Sequence, residues 1–140
     1  MAYWLAIGPE QNLRLSVNRN IWGLNEHYHR SWEEVNQDDV VIFYAMKPIK
    51  GVIGYGKVLS KTKDYQPLWD QELKEGAALW PLRMNIEYLH VLPQSKWNSN
   101  KVPLPPLSEG ITIQRSFQRL RDYLARDIIA GLGRQERRKS

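Results

Sequence analysis

The residues of this chain best suited to chemistry are aromatic, and the chemistry they suit is stacking. The stretch Asn20-Ile21-Trp22-Gly23-Leu24 follows a short amphipathic segment, and Trp22 stands directly before Gly23 where the chain is expected to turn. An indole left in a turn exposes a large flat apolar face unless something stacks on it. The chain has six Trp and seven Tyr but only two Phe. That bias favours rings that combine a π face with a polar handle, as planar ligands require. Trp4, Trp32 and Tyr88 read as core, which leaves Trp22 and Trp80, with Tyr44, Tyr55, Tyr65 and Trp69, as candidates to line a pocket. Tyr55 lies between Gly54 and Gly56, and glycines on one face of a strand allow another group to approach closely.

Bond-making chemistry has little support. His27-Tyr28-His29, with Glu26, Glu33 and Glu34 nearby, can be drawn as a metal site. Histidines two apart point the same way only on a strand, however, and this stretch reads as a polar loop. There is no Gly-x-Ser-x-Gly, no phosphate loop and no HExxH, and the carboxylates show no paired pattern. The chain has no Cys, which excludes disulfides, thiolate nucleophiles and Cys-based zinc sites. The expectation is a binding module, not an enzyme, with no metal and no cofactor.

Charge points to a class of ligand. The net charge is +5 over 140 residues, yet residues 1–113 carry 12 basic and 12 acidic groups. The whole excess lies in residues 114–140, where eight basic groups face Asp122, Asp127 and Glu136. All but one of those eight are Arg, whose forked guanidinium suits phosphate. Arg115 and Arg119, expected on one side of a C-terminal helix, are the candidate phosphate contacts; a solvated helix face is the plainer alternative. The start lacks the basic and apolar regions of a signal peptide, and no apolar run approaches the ~20 residues that span a bilayer. A cytoplasmic location is expected.

The elements that must position these residues follow from local pattern. Ala2–Ile7 reads as a strand, and Gly8-Pro9-Glu10 breaks it. Pro9 suits a helix start, and Leu13, Val17 and Ile21 recur at helical spacing. Ser31-Trp32-Glu33-Glu34 predicts a capped helix beginning at Ser31. Val40–Ala45 is apolar throughout, as a strand buried on both faces would be. Gly51–Leu59 and Trp80–Val91 are further strands, the latter alternating Leu82, Met84, Ile86 and Tyr88 with an outward Arg83, Asn85 and Glu87. Between them, residues 60–78 read as a loop with one helical turn. The proline-rich segment 102–107 reads as a connector, with a polyproline ligand as the alternative. Ile113, Phe117, Leu120, Leu124 and Ile128 predict a helix stopped by Gly131 and Gly133. One domain over residues 1–131, with a basic tail or linker at 132–140, is expected. Four or five strands and three helices without regular alternation favour an α+β sheet or open barrel.

The series Tyr3-Trp4, Asn20-Ile21-Trp22-Gly23-Leu24, Val41-Ile42-Phe43-Tyr44, Gly54-Tyr55-Gly56 and Trp80-Pro81-Leu82-Arg83, in this order and spacing, resembles the EVE domain. EVE domains belong to the PUA-like superfamily and are related to YTH domains. The resemblance covers residues 2–91. It implies an open barrel of mixed strands surrounded by short helices. It also implies a pocket that accepts a modified or flipped nucleobase in DNA or RNA. In the YTH relatives the Trp at the place of Trp22 forms a wall of an aromatic cage, and an Asn ten residues earlier, here Asn12, contacts the base edge. A second cage Trp falls near Ile86, which is aliphatic, so the second wall must come from elsewhere, first of all from Trp80. The implied base-binding set is Trp22, Asn12, Gly23, Trp80, Tyr44 and Tyr55. The implied partner is nucleic acid carrying a modified base. A fused or associated motor or nuclease subunit, as in a modification-dependent restriction system of the McrB kind, is a candidate second partner. The alternatives are a small-ligand protein or enzyme on the same barrel, using the His27/His29 loop, or a protein-interaction domain.

Overall fold

The computed structural model describes residues 1–104 and 110–137, with side chains up to residue 134. Its elements are β1 (Tyr3–Gly8), α1 (Glu10–Arg19), β2 (Ile21–Leu24), α2 (His29–Glu34), β3 (Val40–Ala45), β4 (Gly51–Lys63), α3 (Asp70–Glu75), β5 (Leu82–Val91), α4 (Trp97–Asn100), β6 (Phe117–Leu120) and α5 (Asp122–Arg137). The six strands form one curled half-barrel sheet in the order β2-β5-β4-β3-β1-β6. Only β1 and β3 are parallel; every other pair is antiparallel. The architecture is α+β, an open barrel of mixed strands with short helices around it. Among the described residues no helix is long and apolar enough to cross a membrane.

Burial explains why β1 and β3 lie inside the sheet. Every residue of both strands is buried, which apolar, β-branched and aromatic side chains permit on both faces. Trp4 on β1 stacks on Phe117 of β6 with ring centroids 5.1 Å apart. Asp39, just before β3, fastens this region. Its carboxylate accepts hydrogen bonds from the Ala2 amide at 2.9 Å, the Trp4 indole at 3.0 Å and the Asn36 amide at 2.9 Å. Burial alone would raise its pKa, but the Asn36 and Ala2 amides, the Trp4 indole and the N-terminal charge together lower it.

The junction between α1 and β2 determines where Trp22 points. Asn20 ends α1 in the left-handed region with φ 56°, and its amide bonds Ser16. The Ser16 hydroxyl bonds the Ile21 carbonyl and lies 2.5 Å from the Tyr88 hydroxyl. Tyr88 is mostly buried, which pushes its phenol well above the ordinary value. Ser16 and Tyr88 thus tie the start of β2 to β5.

Several boundaries differ from the sequence pattern. Trp22 and Gly23 lie within strand β2, paired with Met84 and Arg83 of β5, not in a turn. Ile21 opens that strand instead of closing the helical stripe. Helix α2 starts at His29, so Ser31 lies inside it. Phe117 and Leu120 belong to β6, because the open edge of β1 takes a strand there; the helix begins only at Asp122. It runs through Gly131 and Gly133 to Arg137, and Leu132 is fully buried, so the two glycines do not stop the helix. Residues 105–107 of the proline segment and 138–140 of the basic tail lie outside the described residues.

Candidate nucleobase cleft

A cleft of about 160 Å³ opens where the end of β1, the start of α1 and strand β2 meet the loop between β4 and β5. Asn12, Trp22, Gly23, Met46, Trp69, Trp80 and Ser116 are among its lining residues. Three indoles give it shape. Trp69 is fully buried and meets Trp22 edge-to-face at 6.3 Å and Trp80 edge-to-face at 5.7 Å. Trp22 also packs edge-on against Phe43 at 5.7 Å. Such T-shaped contacts fix ring orientation, so the cleft is built before anything enters it.

Two glycines make this packing possible. A Cβ on Gly8 would lie 2.4 Å from the Trp22 ring, and one on Gly23 would lie 2.6 Å from the Trp80 carbonyl and 2.8 Å from the Trp69 ring. Trp22 and Trp69 thus fill the space that a side chain at either position would take.

Polar groups in the cleft are few and uncharged. Asn12 is buried, lines both this cleft and a neighbouring groove with Arg19 and Asp70, and among the described residues its carboxamide makes no hydrogen bond. Its backbone carbonyl accepts from the Trp69 indole at 3.2 Å. The Trp22 indole nitrogen is buried and likewise lacks a partner among the described residues. Asn25, at the rim, donates to the Leu79 carbonyl at 3.4 Å. Among the described residues no lining residue carries an ionisable side chain. A charged ligand would enter without a counter-charge, which is costly away from water; a neutral ring is matched.

The remaining predicted residues divide. Asn12, Trp22, Gly23 and Trp80 come together in the cleft. Tyr44 and Tyr55 do not line it: Tyr44 is buried on β3, where burial raises its pKa, and Tyr55 packs against His90 at 6.2 Å. Tyr65 is exposed, and its hydroxyl donates to Glu26 at 2.9 Å. Met46, Asn25 and Ser116 line the cleft but had no distinguishing sequence signal.

The two candidate phosphate contacts also part. Arg119 is on β6, with its guanidinium 5.6 Å over the Trp4 ring; its place on a shared helix face with Arg115 does not exist, because residues 117–120 are a strand. Arg115 lines a second, open groove of about 500 Å³ with His27, His29, Arg30 and Ser31. Among the described residues Arg30 and Arg115 form no side-chain ion pair. The grooves adjoin, since Ser116 lines the first and its amide donates to the Tyr28 hydroxyl of the second at 3.0 Å. His29 pairs with Glu33 at 3.2 Å, and among the described residues no three metal-ligating side chains converge.

Residues 2–120 match the EVE domain. The chain belongs to the EVE domain family. Solved structures with the same fold support the architecture of this EVE domain. The Mmi1 YTH domain in complex with RNA is 12% identical with a TM-score of 0.69, covering 99% of this chain and 81% of that one. Rpa0253 from Rhodopseudomonas palustris is 13% identical with a TM-score of 0.61, covering 95% and 94%. ASCH from Zymomonas mobilis is 11% identical with a TM-score of 0.60, covering 92% and 94%. No curated protein matches the chain.

Proposed function

We propose that this EVE domain binds a modified nucleobase, turned out of a nucleic acid strand, in the three-indole cleft. The observation that carries this reading is the combination of Trp22 and Trp80, each edge-on to the buried Trp69, with Asn12 in a cleft whose described lining has no ionisable side chain. A base is planar, apolar on its faces and polar at its edge, and these groups match each surface. The RNA complex of the structurally similar Mmi1 YTH domain supports the ligand class.

Energetics divides the roles. Stacking a base on an aromatic ring is worth roughly 1–3 kcal/mol and tolerates any base. Burying a methyl group adds about 0.8 kcal/mol, a preference of only a few fold. Larger discrimination therefore falls to the base edge and to Asn12. Turning a base out of a duplex costs a few kcal/mol, and contacts of Arg30 and Arg115 with flanking phosphates offset it. Arg119 is left out of this role because it does not line the groove that holds Arg30 and Arg115. The domain does no chemistry in this reading. It acts as a targeting module, and a motor or nuclease, fused or associated, is the partner that would act on the marked strand.

The test is direct titration with labelled oligonucleotides that carry N6-methyladenine, 5-methylcytosine, the unmodified base or an abasic site, as DNA and as RNA. Tighter binding of one modified strand than of its unmodified and abasic counterparts is expected. Equal affinity for all four would remove the cleft from recognition.

A further inference from the structure

We infer that Glu72 and Arg83, a buried ion pair outside the cleft, are positioning residues that set its two loop-borne indoles and with them its discrimination between bases. The inference rests on the reading of the cleft as a base site. Glu72 is fully buried and Arg83 nearly so, with 3.3 Å between guanidinium and carboxylate. Neither lines the cleft. Their contacts nevertheless converge on its walls. One Glu72 oxygen accepts from the Leu68 amide at 2.8 Å and the Trp69 amide at 3.2 Å, and the other accepts from the Trp80 amide at 2.9 Å. Arg83 Nε donates to the Trp80 carbonyl at 3.2 Å, and its guanidinium lies 5.4 Å over the Trp69 ring. The peptide groups on both sides of the Trp80 Cα are thus held by this one pair.

A buried ion pair is a poor means of adding stability, since apolar residues of similar volume often do as well. Apolar residues cannot hold three amides and a carbonyl at fixed places. The pair also bridges elements that no strand ladder joins, because Leu68, Trp69 and Trp80 lie in the loop while Arg83 lies on β5. The outer face of Arg83 is held by Asp64 at 3.4 Å and by the Gln66 carbonyl. The loop is therefore folded around the guanidinium, and the separation of Trp69 from Trp80 follows from it. A site held by such a supporting shell loses selectivity when the shell loosens.

The experiment uses Glu72→Gln and Arg83→Lys in the intact chain. Glu72→Gln turns an N–H₂ group toward one of the amides and removes the charge facing Arg83. Arg83→Lys keeps the charge but removes the forked contacts to Trp80 and Gln66. Two readouts are taken: the indole N–H resonances by NMR, and affinity for an oligonucleotide with a methylated base against the same strand with an abasic site. Expected are displaced Trp69 and Trp80 resonances, and a base-dependent affinity reduced about tenfold, the scale of one lost stacking wall, with abasic-strand affinity unchanged. Folded variants with wild-type indole resonances and wild-type base preference would overturn the inference. Should Glu72→Gln lose its cooperative unfolding transition, Arg83→Lys decides by the same two readouts. If the wild type shows no base preference while the indole resonances still move, the base-site reading falls and the positioning role stands.

Discussion

The indole nitrogen of Trp69 donates a hydrogen bond to the backbone carbonyl of Asn12 at 3.2 Å, across 57 residues of sequence. This bond joins the loop after β4 to the first turns of α1. The innermost ring of the cleft and the backbone of Asn12 are therefore parts of one unit, and in the proposed reading the Asn12 side chain is the part that meets the base. Glu72 and Arg83 fix the other end of the same loop. These bonds hold the walls of the cleft in place, so in the proposed reading little ordering entropy is lost on binding.

Asn12→Ala should therefore change selectivity more than total affinity. Among the described residues no hydrogen bond of the fold uses the carboxamide, so stability should move little. A lost edge contact appears as lost discrimination between bases. Titration of modified and unmodified oligonucleotides should show the two affinities converging; a parallel weakening of both would argue against edge reading by Asn12.

The tryptophans should separate by burial. Trp80 is partly exposed, so Trp80→Ala should keep its unfolding transition and weaken binding to a modified strand by about tenfold or more. Trp22 is only 5% exposed and packs on both Phe43 and Trp69. Trp22→Ala should lose binding and also cost about 3–5 kcal/mol of stability, read from urea denaturation. A wild-type urea midpoint in Trp22→Ala would show that the strand tolerates the loss of this ring.

Gly23→Ala adds a single carbon where the Trp80 carbonyl and Trp69 ring already stand 2.6 and 2.8 Å away. Backbone cannot yield cheaply there, because Arg83 and Glu72 hold it. Overpacking of this kind costs about 1–3 kcal/mol. Both the urea midpoint and the base-dependent affinity should fall, and retention of both would mean that the loop shifts freely.

How far the sequence carried the fold depends on the kind of signal. Val40–Ala45 was legible because a strand buried on both faces needs an unbroken apolar run. Trp22 and Trp80 were legible as cleft-lining residues through the family resemblance, although the turn expected at Trp22 is a strand. Phe117 and Leu120 were not legible as a strand. Their spacing continues into Leu124 and Ile128 as a helical stripe, and only the open edge of β1 decides otherwise. Arg83 was misread by its own alternation, which points it outward; the loop just before β5 folds back over it, with Glu72 as the counter-charge, and strand alternation carries no sign of that cover. Tyr44 and Tyr55 had the right ring type but occupy other parts of the sheet, and ring type alone does not encode direction.

Acid should loosen the N-terminal strand through Asp39. Its folded pKa lies below the ordinary 3.8 because the Asn36 and Ala2 amides and the Trp4 indole outweigh the opposing effect of burial. The stabilisation is then fully present above the unfolded value and is lost as pH falls through the folded one. The urea midpoint of the wild type should drop as pH descends below 3.8. Asp39→Asn should be less stable near neutrality and show a shallower fall. The same acid slope in both proteins would assign the effect to other carboxylates.

The last expectation concerns Arg30 and Arg115, which share the groove beside the cleft. Phosphate contacts release counterions, so each contributes to the slope of log affinity against log salt. Replacing both by Gln should flatten that slope by about one to two units and weaken all sequences alike, leaving base preference intact. Arg119→Gln is the internal comparison. Its guanidinium lies over Trp4, not in the groove, so the salt slope should stay at the wild-type value while stability falls slightly through the lost cation–π contact. A flattened slope in Arg119→Gln, with none in the double variant, would move the phosphate path from the groove to the β6 edge.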